Sequence, residues 1–329
     1  MTENTAARRS APDQRLPQVI VLSGGLSHER DVSVRSGRRV AQALQDVGHE
    51  VLESDMNQGL IALLAANPDA VVLSMLHGGV GENGALREVF GLLGTRFVGA
   101  GGAASRLTFD KSIATPVVAG AGVRVPRQVV LPAEVFRELG AASLVQAIGD
   151  SMGYPLMVKP TRSGSALGCT KVNGPDELPG AMVSAYAYGD EAVVEEFITG
   201  TEVAVAVLGS GDDRQVLPAV EIRPDSGVYD YTARYTAGAT RFVTPAELSD
   251  EVAEACAQLA LTAHRALHLS GIARIDIIVT PGGEPVFIEG NVSPGMTETS
   301  LVPLAMEAAG LDLGAAVSAL VVAAAQEPA

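Results

Sequence analysis

Hydrophobic and polar positions in the N-terminal part of the chain follow the pattern of strand–helix units. An apolar run at 18–23 predicts a buried strand, and the apolar positions from 32 to 47 recur at helical spacing. A second apolar run at 70–76 predicts another strand. Such alternation indicates a parallel α/β domain, in which ligands bind beyond the carboxyl ends of the strands. The glycine-containing loops at 24–25 and 77–84 are therefore expected to face a ligand.

The middle of the chain predicts a different arrangement. Helices are expected at about 109–119 and 133–148, and strands at 156–159 and 169–172 enclose a loop of small residues. A loop of this kind forms a flap whose backbone N–H groups can approach phosphate oxygens. It is not a Walker loop, because no Gly-Lys-Ser/Thr sequence opens a helix here.

Toward the C-terminus the pattern predicts a hairpin that carries oxygen ligands. Asp276 is expected at the start of its first strand, and Glu289 and Asn291 at the end of the second, so their side chains are expected in one neighbourhood. Hard oxygen ligands suit Mg²⁺, although an ordinary polar hairpin edge would have the same composition. The strands predicted in this region lie at 193–197, 202–208, 216–222, 277–279 and 286–288, and the helices at 249–267, 303–309 and 313–325.

Composition favours an enzyme of two or three domains. The chain has 329 residues, of which 47% are hydrophobic and 19% charged, as in folded α/β proteins. Its net charge of −15 argues against a nucleic-acid partner and requires local cations at any phosphate site. Residues 1–16 are expected to form a disordered tail, and the apolar run at 313–325 is too short to span a membrane. A cytoplasmic protein without a membrane partner is expected.

The order of short motifs along the chain resembles that of the D-alanine–D-alanine ligases, which have the ATP-grasp fold. The resemblance extends from Val19 to about Ala324. The motifs that carry it are Gly24-Gly25, His28-Glu29-Arg30-Asp31-Val32-Ser33, Leu76-His77-Gly78, Gly81-Glu82-Asn83-Gly84, Phe109-Asp110-Lys111, Val158-Lys159-Pro160, Gly164-Ser165, Gly168, Tyr229-Asp230-Tyr231, Arg234-Tyr235, Arg274-Ile275-Asp276, Glu289, Asn291, Pro294-Gly295-Met296-Thr297 and Ser300-Leu301.

The resemblance implies an N-terminal Rossmann-like parallel α/β domain at 17–104, which binds substrate. Two α+β domains would sandwich ATP, a central domain at 105–193 with the phosphate flap and a C-terminal domain at 194–329 with the metal and substrate sites. A homodimer is expected on the same ground. Ligases of this type phosphorylate one D-alanine with ATP, and the amine of a second D-alanine attacks the acyl phosphate.

The resemblance also implies how the substrates and the reacting groups are held. Glu29 would take the ammonium group of the first D-alanine, and Arg274 with the Gly295 N–H would stabilise the tetrahedral oxyanion. Ser165 and Tyr235 would join Glu29 in a network that closes the site. His77 would lie near the first substrate, with Glu82 supporting it, and Ser300 and Leu301 would receive the second.

Nucleotide and metal sites follow from the same resemblance. Asp276, Glu289 and Asn291 would bind Mg²⁺, with two ions expected and Mn²⁺ able to substitute. Isolated lysines and glutamates are also common on protein surfaces, and Arg274 could pair structurally with Asp276. The residues expected to hold ATP are Lys111, Lys159, Ser165, Glu195, Glu196, Ile198, Glu202 and Arg234.

Two positions depart from the family pattern. Arg234 stands where the family usually has Lys, and Ser163 where it usually has Glu. They leave open a related ligase that joins other amino acids in specialised metabolism. Tyr235 disfavours an ester-forming relative that uses D-lactate. A non-catalytic relative would be expected to lack a metal ligand or Arg274, and neither is missing.

Overall fold

The computed structural model describes residues 15–230, 233–234, 236 and 238–327. The N-terminal part is a parallel sheet in the order β2-β1-β3-β4, as the strand–helix pattern predicts. Its strands are β1 (Val19–Ser23), β2 (Val51–Asp55), β3 (Val71–Ser74) and β4 (Phe97–Val98). Its helices are α1 (Arg30–Asp46), α2 (Leu60–Ala66), α3 (Gly79–Glu82) and α4 (Ala85–Leu92).

Two short helices lead from this sheet to the central region. Helix α5 (Gly102–Phe109) is followed, after one residue, by α6 (Lys111–Gly120). Helix α6 corresponds to the predicted helix at 109–119. Asp110 separates the two helices and caps α6, because its Oδ1 accepts a hydrogen bond from the Ser112 N–H at 3.0 Å. Its Oδ2 accepts from Arg162 Nε at 2.7 Å, which attaches the start of α6 to the flap.

The central sheet is antiparallel in the order β5-β8-β6-β7. Its strands are β5 (Gln128–Pro132), β6 (Leu156–Pro160), β7 (Thr170–Val172) and β8 (Glu191–Glu196). Helices α7 (Ala133–Leu139), α8 (Ala141–Met152) and α9 (Leu178–Tyr186) cover it. The single helix predicted at 133–148 is wrong, because Gly140 has φ of +81° and separates α7 from α8.

The third sheet contains β9 (Thr201–Leu208), β10 (Gln215–Val216), β11 (Val220–Pro224), β12 (Thr240–Val243), β13 (Ile272–Val279) and β14 (Pro285–Asn291). Helices α10 (Asp250–Ala266), α11 (Leu301–Ala308) and α12 (Leu313–Gln326) belong to this part of the chain. The strand predicted at 216–222 is divided at Pro218, which has no N–H for a ladder. The hairpin is longer than predicted, so Asp276 lies in the interior of β13 rather than at its start.

Strand β9 is buried on both faces and contributes side chains to two core clusters. Val203, Val205 and Val207 pack in one core cluster with α10, whereas Ala204 and Ala206 pack in another with α1, α11 and α12. The second cluster contains residues of the parallel sheet, so the first and third sheets share a core. Among the described residues no single helix is long and apolar enough to cross a membrane; α11 and α12 pass that test only as a pair, bent by 105°.

Candidate active site

Two cavities meet near the centre of the molecule. One, of about 780 Å³, is lined by residues of the central and third sheets. The other, of about 570 Å³, is lined by residues of the parallel domain, of the flap, of the segment around Arg234, of β14 and of the segment that follows β14. They are called here the sheet cavity and the loop cavity. Five residues line both cavities, namely Lys111, Ser163, Tyr229, Arg234 and Glu289. This junction brings two cations and two polar residues from distant segments to one carboxylate, that of Glu289.

The sheet cavity is lined by both charged and apolar side chains. Lys159 and Glu195 lie on the neighbouring strands β6 and β8 and form a buried ion pair. Burial opposes the charge on Lys159, but the carboxylate of Glu195 outweighs it and raises the pKa of the lysine. The apolar walls come from Met157, Ile278 and Ile288. A cavity that combines apolar walls with a lysine suits a molecule with a flat ring and an anionic tail.

Most of the other side chains expected at ATP also line the sheet cavity, but Ser165 lines only the loop cavity. Glu196 and Ile198 line it at the end of β8, and Glu196 Oε2 lies 3.8 Å from Arg127 Nε. Glu202 lines it at the start of β9, where burial raises the pKa of its carboxyl group to about 7. Arg234 stacks over the Tyr229 ring, with its guanidinium carbon 4.2 Å from the ring centre.

The hairpin β13–β14 places four functional side chains on one face. Asp276 is directly opposite Glu289 and Arg274 opposite Asn291, and residues two apart on a strand share a face. Arg274 binds Asp276 through two hydrogen bonds, Nε to Oδ1 at 2.6 Å and Nη2 to Oδ2 at 2.7 Å. The structural ion pair considered for Arg274 is therefore present. Arg274, Glu289 and Asn291 line the loop cavity, whereas Asp276 lines neither cavity.

These side chains provide a suitable donor set for a hard cation. Like charges opposite each other on adjacent strands repel, so Asp276 and Glu289 require positive charge nearby. Burial would raise the pKa of Glu289, but Lys111, 3.3 Å away, and Arg234 lower it to about 2. The two bonds from Arg274 leave further lone pairs on the Asp276 carboxylate. In the described part of the chain no cluster of three or more His, Cys, Asp or Glu residues is arranged to hold a metal ion. A metal site here would therefore use the amide oxygen of Asn291 as a third ligand beside Asp276 and Glu289.

The flap between β6 and β7 contacts both neighbouring regions. The Ser163 carbonyl accepts a hydrogen bond from Lys111 Nζ at 2.9 Å, and the Ser165 hydroxyl donates to Glu29. Ser165 has φ of +53° and Ala166 of +56°, an unusual conformation for residues with a side chain. Strained backbone of this kind concentrates at functional sites. The flap is thus fixed over the loop cavity by contacts with α6 and with the segment before α1.

Glu29 is positioned by a clamp at the end of β1. Asp55 Oδ1 accepts from the Gly25 N–H at 2.8 Å, and Asp55 Oδ2 accepts from Arg30 at 2.6 Å. Arg30 also donates to the Gly25 carbonyl at 2.7 Å. The clamp leaves no room for a side chain at Gly24, where a Cβ atom would overlap the Asp55 carboxylate. Glu29 directly precedes Arg30 in the sequence and lines the loop cavity.

His77 lies in the loop after β3, and Glu82 is the last residue of the short helix α3 that follows it. His77 Nδ1 donates to the Ser293 carbonyl at 2.8 Å, and burial lowers the pKa of the imidazole, which is therefore neutral. Burial, with the charge of Glu29 second, raises the pKa of Glu82 to about 7. Arg87 holds the back of this loop by donating to the Gly81 carbonyl at 2.7 Å.

The segment after β14 closes the other side of the loop cavity. Ser300 Oγ lies 2.8 Å from Thr297 Oγ1 and accepts from the Thr297 N–H at 3.0 Å. A Cβ atom on Gly295 would lie only 2.8 Å from Ser300 Oγ, so any side chain there would displace the Ser300 hydroxyl group. Leu301 begins α11 and lines the same cavity.

The structure thus brings nearly all the predicted site residues to the two cavities. Asp276 lies behind Arg274, and Tyr235 lies outside the described residues. Sequence reasoning did not identify Tyr229 as lining both cavities, nor Ser293 as the partner of His77. Ser293 had a recognisable signal, because it stands in the same short motif as Gly295. The individual roles of these residues remain predictions.

Two antiparallel sheets around a nucleotide-sized cavity, beside a parallel α/β domain, define an ATP-grasp protein. The family model described as the C-terminus of D-ala D-ala ligases matches residues 117–322. The D-alanine–D-alanine ligase of Bordetella petrii is 40% identical over 309 residues, which cover 94% of this chain and 92% of that protein. The ligase of Desulforudis audaxviator is 40% identical over 88% of this chain and 93% of its own length. The chain belongs to the D-alanine–D-alanine ligase family.

Solved structures agree with this assignment. The VanG D-Ala:D-Ser ligase from Enterococcus faecalis superimposes with a TM-score of 0.81 at 29% identity, over 94% of this chain and 99% of that chain. The D-alanine–D-alanine ligase from Bacillus anthracis, complexed with ATP, gives a TM-score of 0.77 at 26% identity, over 94% and 97% of the two chains. The predicted ATP-grasp fold is confirmed, and the protein is a ligase of a family that uses ATP.

Proposed function

We propose that this enzyme joins two D-alanine molecules into D-alanyl-D-alanine at the expense of ATP, for peptidoglycan precursor synthesis. The observation that carries the proposal is the junction of the sheet cavity and the loop cavity at Lys111, Arg234 and Glu289. A phosphate at that junction can reach a carboxylate in the loop cavity while its nucleotide stays in the sheet cavity. Relatives that are 40% identical over most of the chain bear the name of this activity.

In this proposal the sheet cavity binds ATP. Glu195, Glu196 and Ile198 contact the adenine, and Glu202 binds the ribose hydroxyls. Lys111, Lys159 and Arg234 hold the phosphates as fixed positive charges. Because the phosphoryl group carries negative charge throughout its transfer, catalysis depends mainly on its position and on these cations.

The loop cavity binds the two amino acids. Glu29 accepts hydrogen bonds from the ammonium group of the first D-alanine, and Ser300 and Leu301 receive the carboxylate and methyl group of the second. Transfer of phosphate activates the carboxylate of the first D-alanine, and the amine of the second then attacks it. Arg274 and the Gly295 N–H donate hydrogen bonds to the oxyanion, a kind of contact whose loss lowers rates by about 10²–10³.

Mg²⁺ is proposed as the metal, with two ions expected and Mn²⁺ able to replace them. Asp276, Glu289 and Asn291 would hold it, since they offer the oxygen donors that it prefers and lie on one face of the hairpin. When bound, the metal neutralises charge on the phosphates. The cytoplasm is the proposed location. A homodimer is also proposed, and sedimentation at micromolar concentration would distinguish it from a monomer.

Product identification tests the proposal directly. Purified enzyme is incubated with ATP, Mg²⁺ and D-alanine, and with D-alanine plus D-serine, D-lactate or other amines, and the products are identified by mass. D-alanyl-D-alanine with release of phosphate is expected from D-alanine alone, and L-alanine serves as the control. Product only with another amine would instead assign a ligase of different specificity, for which Arg234 and Ser163 leave room.

A further inference from the structure

Glu82 is a buried carboxyl group of the loop cavity that the proposed reaction does not use. Its side chain is 8% exposed, and Oε1 accepts a hydrogen bond from the Gly78 N–H at 2.9 Å. That bond joins the residue before the short helix α3 to the last residue of the helix. A glutamine could accept the same hydrogen bond, so shaping the loop does not by itself require a carboxylic acid.

Glu82 and Glu29 converge on the same two glycines. A Cβ atom on Gly164 of the flap would lie 3.5 Å from Glu29 Oε2 and 3.8 Å from Glu82 Oε2. At Gly78, which donates to Glu82, a Cβ atom would overlap Glu29 Oε2. The two carboxyl groups therefore border one small space between the flap and the loop after β3.

Two carboxyl groups in such a space do not both ionise at neutral pH without a cation. Burial and the charge of Glu29 raise the pKa of Glu82 to about 7, so it retains a proton over part of the physiological range. Ser165 donates a hydrogen bond to Glu29, so the flap holds that carboxyl group beside Glu82. The titratable and charged groups that face Glu82 are Glu29 before α1, His77 in its own loop, Arg87 on α4, Lys111 on α6 and Glu289 on β14.

His77 supplies a further acceptor beside these carboxyl groups. Because Nδ1 donates to the Ser293 carbonyl, Nε2 of the neutral ring carries a lone pair. Nε2 is buried and has no hydrogen-bond partner in the described part of the chain. The charge of Glu29 acts on His77, so the imidazole and that carboxylate are neighbours. An ammonium group has three N–H donors, and Glu29, Glu82 and His77 together offer three acceptors.

We propose that Glu82 is a second binding carboxylate for the ammonium group of the first amino acid, and that it releases a proton when that group binds. The proposal rests on the proposed function, since it assigns the ammonium group to the loop cavity. The carboxylic acid of Glu82 loses its proton to solvent, and the substrate ammonium group keeps all three of its own. The site then selects an α-amino acid over a hydroxy acid, whose hydroxyl group can donate to one acceptor only.

The pH profile of a glutamine variant tests this role. In the wild type, kcat/KM for D-alanine at saturating ATP should fall by about tenfold per pH unit below about pH 7, because the ionised fraction of Glu82 falls in this way. E82Q keeps an acceptor for the Gly78 N–H and loses the ionisation. It should lack this limb and lose at least about tenfold in kcat/KM at pH 8, with KM for ATP unchanged. E53Q, at an exposed position on β2, is the matched control and should behave as wild type.

Two results would overturn the proposal. One is an E82Q enzyme that keeps the wild-type pH limb and kcat/KM. The other is an equal rise of KM for ATP and for D-alanine, which would indicate general damage to the loop.

A second measurement on the wild type does not depend on the variant folding or on turnover. Calorimetric titration of D-alanine at pH 6, with a non-hydrolysable ATP analogue and two buffers of different ionisation enthalpy, counts the protons released. Close to one proton per D-alanine at the tighter site is expected, and none would refute the role. Failure of the proposed function is seen separately, as absence of D-alanyl-D-alanine from wild-type reactions at every pH.

Discussion

Gly295 and Ser300 provide a sharp test of the loop that receives the second amino acid. In G295A the backbone N–H remains, and only the space beside it changes. The new Cβ atom would lie 2.8 Å from Ser300 Oγ, which is closer than such atoms pack, so the hydroxyl group must move. That hydroxyl is held by two hydrogen bonds with Thr297, at 2.8 and 3.0 Å. We expect G295A to break both bonds.

The size of the effect follows from those two bonds. A hydrogen bond contributes about 0.5–1.5 kcal/mol, so their loss corresponds to about 2 kcal/mol. If that energy positions the second substrate, kcat/KM for D-alanine falls by roughly thirtyfold, since about 1.4 kcal/mol is a factor of ten. KM for ATP should not change, because neither Gly295 nor Ser300 lines the sheet cavity.

A double-mutant cycle with S300A separates this cause from others. Without the hydroxyl group, the nearest atom to the new Cβ is Ser300 Cβ at 3.5 Å, which is an ordinary contact. In the S300A background, G295A should therefore lower kcat/KM for D-alanine by less than about threefold. G180A is the control, because that exposed position in α9 has open space around the new methyl group. Steady-state kinetics of the four enzymes decide the matter, and additive losses would refute the steric explanation.

Three further substitutions test the charged groups. R274K keeps the positive charge but loses the two hydrogen bonds to Asp276. It should lower kcat by about 10²–10³ in stopped-time assays, while urea titration should show that the protein remains folded. K111M removes the partner of Glu289 at the junction and should raise KM for ATP at least about tenfold in initial-rate assays. Burial raises the pKa of Glu202 in the folded protein to about 7, so the folded state is more stable at low pH, where this carboxyl group is protonated, and loses that stability as pH rises through about 7. E202Q should therefore resist urea better than the wild type at pH 8, and the difference should be smaller at pH 5.

The sequence predicted the fold where local patterns and motif order agree. The hairpin β13–β14 was found because apolar strands flank a Pro-Gly turn, and its functional residues followed from their places at the strand ends. Two elements were predicted wrongly for local reasons. The helical pattern of apolar residues continues through Gly140. Because one glycine inside a helix costs only about 1 kcal/mol, the pattern alone does not decide whether a helix ends there. Pro218 was a visible signal against one strand at 216–222.

Burial and cross-domain contacts could not be predicted from the sequence. The pKa of Glu82 depends on Glu29 and on burial by segments far apart in the chain, so nothing near Glu82 in the sequence reveals it. The same holds for Asp276, whose place behind Arg274 depends on side-chain contacts inside a folded sheet. Tyr235, predicted as a partner of Ser165, lies outside the described residues, so that prediction stands untested.

The cations of the site are paired with carboxylates, and this predicts how ATP and metal depend on each other. Lys111 lies beside Glu289, and Arg274 binds Asp276. When phosphates attract these cations, Glu289 and Asp276 lose compensating charge, in a protein whose net charge is already −15.

Metal ions at the two carboxylates would restore that balance, so ATP should bind at least about tenfold more weakly in EDTA than with Mg²⁺. E289Q removes one of the carboxylates, and should bind metal-free ATP more tightly than wild type does while gaining less from Mg²⁺. E284Q, at an exposed glutamate before β14, is the control. Equilibrium binding of a fluorescent ATP analogue measures all four affinities for the wild type and E289Q. Equal affinity of both enzymes for metal-free ATP would show that the charge of Glu289 does not oppose phosphate binding. It would also show that the phosphates do not draw Lys111 away from this carboxylate.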